Sequence, residues 1–180
     1  MGRNRIGDGN AVPFPEGLST AGKELVRKLG SEGFAIDVAH LAEPGFRDLV
    51  RLHEKLLVSS HTGVRALCDT PRNLTREQVG IILDRKGVIG IAADPKMLSV
   101  DGVASIEDIF RHIDWIAQRF ETDGIGIGSD FCGFHTPNTG MEDISKLADL
   151  ADLLLRYGYP EESVRGILGM NWFRFYRSLI

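Results

Sequence analysis

Two histidines and an aspartate each fall at the end of a short apolar run. Asp37-Val38-Ala39-His40 follows Gly33-Phe34-Ala35-Ile36, and Ser59-Ser60-His61 follows Leu56-Leu57-Val58. Gly128-Ser129-Asp130-Phe131 follows Ile125-Gly126-Ile127. Runs of this length bounded by turn residues read as buried strands. The carboxyl ends of parallel strands are where α/β folds keep their chemistry. Imidazole nitrogens bind metal ions, and a carboxylate beside such an ion can move protons. Neighbouring parallel strands lie about 4.8 Å apart, so His40 and His61 are within reach of one ion. The competing reading gives each histidine a backbone partner and makes Asp130 a loop cap.

Arg72 stands in the turn-rich stretch Asp69-Thr70-Pro71-Arg72-Asn73. A guanidinium there can clamp a substrate carboxylate in bidentate fashion, or simply face solvent. His135 lies in a loop near Asp130 and is a candidate to face substrate. His112 falls inside a helical pattern and reads as structural. His53 reads as a polar residue on a helix face. The glycines at 124, 126 and 128 lie before and within a strand, so they do not form a dinucleotide fingerprint.

The elements that must position these residues alternate. Residues 1–17 are glycine- and proline-rich and read as a loop. Helices are predicted at about 20–31, 44–54, 76–85, 106–120, 143–157, 161–168 and 171–178. Strands are predicted at 34–37, 56–59, 88–92 and 125–129. Thr75 with Gln78 and Ser105 with Asp108 have the spacing of capping boxes, and Pro160 suits a first helical position. Strict βα alternation implies parallel strands with right-handed crossovers. No linker divides the chain, so 1–180 reads as one domain.

Composition excludes several classes. The 180 residues are 43% hydrophobic and 26% charged, with a net charge of −4, ordinary for a globular domain. The basic residues are scattered through the helices rather than gathered on one, which gives no nucleic-acid footprint. No apolar stretch approaches the roughly 20 residues of a membrane span. Cys68 and Cys132 are too few and too isolated for a disulfide framework or a thiolate metal site. The first residues lack the apolar core of a signal peptide, so the expected location is cytoplasmic.

Taken together, these strings resemble the membrane (renal) dipeptidase family of zinc metallopeptidases. Ile36-Asp37-Val38-Ala39-His40 resembles the family's D-x-[SA]-H strand, and Ser60-His61-Thr62 its SH[ST]. Arg72-Asn73-Leu74-Thr75 is similar to its RN turn, and Gly87-Val88-Ile89-Gly90 to its GGVIG strand. His112-Ile113-Asp114-Trp115-Ile116, Gly126-Ile127-Gly128-Ser129-Asp130-Phe131 and Gly169-Met170-Asn171-Trp172 resemble further family strings, in the family's order. Gly17-Leu18-Ser19 through Gly22 resembles its helix start.

The resemblance implies an α/β fold: a partial (β/α)8 TIM-type barrel of about four βα units, corresponding to the C-terminal half. It implies that His40 and His61 bind zinc, that Asp130 shuttles a proton, and that Arg72 binds the polar end of a dipeptide substrate. Two zinc ions occupy a complete site in the family; at most one partial site is expected here. The family's H-x-D pair and its bridging glutamate are not found in this sequence, and Cys132 stands where the family usually has aspartate.

A typical barrel has about 250 residues, so a truncated domain is expected. Its alternative function is a non-catalytic half-barrel that binds metal weakly or serves as an interaction unit. A related hydrolase acting on a lactone or phosphoester is disfavoured by the Arg72-Asn73 string. Half a barrel also exposes sheet edges. Edges at 34–37 and 125–129 are therefore expected, with Ile36, Val58, Ile89 and Ile127 uncovered. A homodimer, or pairing with a complementing N-terminal half, would cover them.

Overall fold

A computed structural model describes residues 2–180. Eight α-helices and four strands alternate along them: α1 (Thr20–Ser31), β1 (Ile36–Asp37), α2 (Glu43–Leu52), β2 (Leu57–Thr62), α3 (Arg76–Asp84), β3 (Ile89–Ile91), α4 (Pro95–Leu98), α5 (Ile106–Phe120), β4 (Ile125–Ile127), α6 (Leu147–Arg156), α7 (Glu161–Arg165) and α8 (Asn171–Arg177). The helix starts follow the sequence signals. Ser19 accepts from the Gly22 N–H, Thr75 and Gln78 form a reciprocal capping box, and Asp108 Oδ2 accepts from the Ser105 N–H and hydroxyl. Pro160 precedes the first turn of α7 as its cap instead of occupying it. The short α4 was not expected; Asp94 caps it through the Lys96 N–H, and Pro95 presets its first dihedral.

The strands form one parallel sheet in the order β1-β2-β3-β4. That is the succession of consecutive βα units, and it matches the expected part-barrel. One face of the sheet is sealed by helices. Leu57, Ile89, Ile91 and Ile125 are fully buried there with Ile82, Ile109, Ile113 and Ile116. Ile36 and Ile127 pack against this same cluster, so three of the four residues expected to lie uncovered belong to the helix-covered layer.

The other face is lined by small groups. Alternation places Val58 and Ser60, Val88 and Gly90, and Gly126 and Gly128 on it. Val58 and Val88 are buried beneath Phe175, with Trp172 packed alongside. The last helix thus folds back under the amino ends of the strands.

The two sheet edges differ. On β4, the Ile125 N–H donates to the Thr122 carbonyl (3.1 Å), and the Ile125 carbonyl accepts from Asn171 Nδ2 (2.7 Å). The Ile127 carbonyl accepts from Trp172 Nε1 (3.1 Å). Side chains of α8 therefore satisfy much of the edge that was expected to stay unpaired. Among the described residues, no side chain caps the outward edge of β1 in this way.

His53 also departs from expectation. It is 2% exposed at the end of α2, with Nε2 3.3 Å from the Leu56 carbonyl, so it is a core residue and not part of a polar face. Among the described residues, no helix is long and apolar enough to cross a membrane.

Candidate active site

β1 ends at Asp37, and its carboxylate starts the site. Asp37 Oδ1 accepts from the Ala39 N–H (2.9 Å), closing an Asx turn, and from the Ser60 N–H on β2 (3.0 Å). The chain then turns through His40 in the left-handed region, φ 66°. Non-glycine residues in that region cost energy and cluster at functional sites. The Asn10 N–H fixes the His40 carbonyl (3.0 Å), which joins the N-terminal loop to the site.

His61 is presented differently. It was expected just after a strand, and it lies inside β2. Ser59 pairs with Ile89 and Thr62 with Ile91, so three steps on β2 oppose two on β3. The extra residue is a bulge at Ser60–His61, a device that re-aims side chains. The ring of His61 meets that of His40 edge-on, with centroids 4.9 Å apart. Their Nε2 atoms are 2.9 Å apart, and Ser60 Oγ stands 2.8 Å from His61 Nδ1.

Asp130 follows β4, also left-handed at φ 58°. Gly133 makes room for it, because a Cβ there would come within 2.5 Å of Asp130 Oδ1. Asp130 Oδ2 is 3.9 Å from His61 Nε2. Arg72 completes the cluster: one Nη2 donates to the His61 carbonyl (2.9 Å) and lies 3.3 Å from His40 Nε2. Its Nε is buried and has no hydrogen-bond partner among the described residues.

Arg72 is held by its neighbour. Asn73 is fully buried, accepts from the Gly63 N–H, and donates to the Cys68 and Met97 carbonyls. The four residues singled out in the sequence therefore come together. His135 is exposed in the loop after β4, and Cys132 is exposed with φ 74°. His112 is structural: its Nδ1 accepts from the Val64 N–H (2.8 Å), and its Nε2 lies 3.2 Å from the Leu98 carbonyl.

Burial and nearby charge shift both site imidazoles toward the neutral form. Burial, the Arg72 cation and His61 push His40 down to about 4. Burial and Arg72 also lower His61, opposed by Asp130 and Asp37. Burial lowers the Arg72 guanidinium from its ordinary value, against the pull of Asp130, Asp37 and Asp94. A neutral imidazole with a free lone pair is the form that ligates a metal.

The donor set fits a zinc-type ion as two of its ligands. Two nitrogens held at about 2.0–2.1 Å in a tetrahedron stand roughly 3.3 Å apart, close to the separation found here. Catalytic zinc normally takes three protein ligands. No group of three or more His, Cys, Asp or Glu placed to hold an ion occurs among the described residues.

Sequence reading gave no role to Asp37 or Ser60. The Asp37-Val38-Ala39 string carried an Asx signal, but the bond from Asp37 to Ser60 spans 23 residues and has no local signature.

Parallel βα units bring a histidine pair, a carboxylate and an arginine together at their carboxyl ends. Residues 5–179 match the membrane dipeptidase family (peptidase family M19), and the chain belongs to it. It is 32% identical over 186 residues to an uncharacterized protein in the pqqA 5′ region of Klebsiella pneumoniae, covering 98% of this chain and 68% of that protein. It is 29% identical to dipeptidase tcpJ of Claviceps purpurea, over 93% of this chain and 40% of the relative.

Among solved structures it resembles a metallo peptidase from Rhodobacter sphaeroides liganded with a phosphinate mimic of the dipeptide L-Ala-D-Ala. The TM-score is 0.89 and the identity 31%, over 99% of this chain and 53% of that one. The chain thus spans about half the length of that structure.

Proposed function

We propose that this chain carries one side of a dipeptidase active site and that its reaction is metal-assisted hydrolysis of a dipeptide. The observation that carries the reading is the convergence of two imidazoles, their Nε2 atoms 2.9 Å apart, on Asp130 and Arg72. Family membership and the dipeptide mimic bound by the Rhodobacter sphaeroides relative support the substrate class.

His40 and His61 would hold a zinc ion through Nε2. Bound zinc supplies a Lewis acid and lowers the pKa of water toward neutrality. Asp130, its carboxylate beside His61, accepts the proton from the attacking water at Oδ2 and returns it to the leaving amine. Arg72, buried and cationic, binds the substrate carboxylate through its fork of N–H donors.

A second reading has a specific observation in its favour. Only two clear donors meet at the site, so a non-catalytic, weakly metal-binding half-barrel remains the alternative. The remaining donors, together with cover for the β1 edge, would come from an N-terminal barrel half or a second copy. The test is zinc binding by the chain, paired with turnover on a panel of dipeptides. Zinc binding that is lost in His61→Ala, with little turnover by the chain alone, is expected. Turnover abolished in a folded His61→Ala variant would show that this half is catalytically sufficient. A chain that binds no zinc contradicts the metal reading.

A further inference from the structure

The N–H and the hydroxyl of Ser60 are held by different parts of the site, and its carbonyl passes close to a third. Its N–H donates to Asp37 Oδ1 on β1 (3.0 Å). Its carbonyl lies over two glycines: a Cβ at Gly90 would come within 2.2 Å of that oxygen and one at Gly128 within 1.8 Å. Its hydroxyl stands 2.8 Å from His61 Nδ1. Ser60 is also one of the two residues of the bulge in β2. Asp37 on β1 and the ring of His61 thus hold Ser60, and the absence of side chains at 90 and 128 makes room for its carbonyl.

We propose that Ser60 is the positioning residue of His61: it sets the rotation of the imidazole so that Nε2 faces His40 and Asp130. The ligand role of Nε2 rests on the reading given under Proposed function; the orienting role does not. Rotation about the bond that carries an imidazole ring is broad and roughly two-fold. Without a partner at Nδ1, the ring can turn its carbon edge to the site.

A hydroxyl suits the task because it both donates and accepts. With Ser60 donating, Nδ1 is the acceptor and the proton sits on Nε2. With Ser60 accepting, Nδ1 carries the proton and the Nε2 lone pair is free. The contacts across the site use this latitude. Arg72 Nη2 is a donor 3.3 Å from His40 Nε2, and the 2.9 Å contact between the two Nε2 atoms needs one proton between them. The ring therefore keeps one orientation in either tautomer. Partners that orient a metal-bound histidine typically change metal affinity by about 10–100-fold when removed.

The test compares the full chain with Ser60→Ala and Ser60→Thr by two readouts. The first is the ring 15N chemical shifts of His61, which report tautomer and hydrogen bonding without any metal. His112 serves as an internal control, because it lies on α5 and is bonded to the Val64 backbone. The second is zinc affinity by competition with a chromophoric chelator.

Ser60→Ala is expected to move the His61 shifts, leave those of His112 in place and weaken zinc binding by about 10–100-fold. Ser60→Thr is expected to restore both. Unchanged His61 shifts in a folded Ser60→Ala overturn the proposal, as does unchanged zinc affinity. If the parent chain binds no zinc while the shifts still move, the metal reading fails and the orienting role stands. Should Ser60→Ala not fold, Ser60→Cys provides the comparison, with a weakly bonding thiol at the same place.

Discussion

Burial of His112 fixes its charge state, and that state has a measurable consequence. Its Nδ1 accepts from a backbone N–H, so only the neutral ring fits, and burial pushes it down to about 4. The folded value lies below the unfolded one, so the unfolded chain takes up the proton first as pH falls. The stability this represents is complete above about pH 6.5 and is lost between there and about pH 4. Its upper size is roughly 3 kcal/mol. Urea denaturation at a series of pH values should show this slope, and His112→Gln should flatten it. His40, His53 and His61 shift in the same direction, so the difference between the two proteins isolates His112. Asn73 offers a second case. Asn73→Ala leaves the Gly63 N–H and two carbonyls without their side-chain partner, and should cost about 1–3 kcal/mol in denaturant titration. His40, His61, Asp130 and Arg72 were legible because their types recur in strings tied to chemistry. Asp37 and Ser60 were not, because their bond joins two strands and depends on a bulge that no local pattern announces.

Elements were read best where a side chain makes a local bond. Both capping pairs stood in the sequence as spacing and stand in the structure as hydrogen bonds. Thr75→Ala should therefore lower stability by about 1 kcal/mol, seen as a shifted denaturation midpoint with an unchanged slope. Each strand overlaps its expected run, but β2 continues to Thr62, three residues beyond the expected end, and the faces were misread. A run such as Ile125-Gly126-Ile127 has bulk on one face and glycine on the other, and only the packing shows which face meets the helices. The cap on β4 was equally hidden, since Asn171 lies 46 residues beyond Ile125. Asn171→Ala strips Nδ2 from both the Thr122 and Ile125 carbonyls and should cost about 1–3 kcal/mol. It should also promote association through the exposed β4 edge, which light scattering would detect.

At the scale of the whole molecule, the four βα units are those of half a barrel, and the match to a solved metallo peptidase structure over about half its length agrees. Helices seal one sheet face, and α8 closes the amino end of the other. What stays open is the β1 edge and the carboxyl end, where the site lies. The account's central claim is that His40 and His61 bind one zinc ion together. X-ray absorption at the zinc edge, on the chain loaded with one equivalent, tests it most directly. The account predicts two imidazole ligands at about 2.0–2.1 Å, reduced to one in either His40→Ala or His61→Ala. A spectrum without imidazole scattering, or one that neither substitution changes, would contradict it.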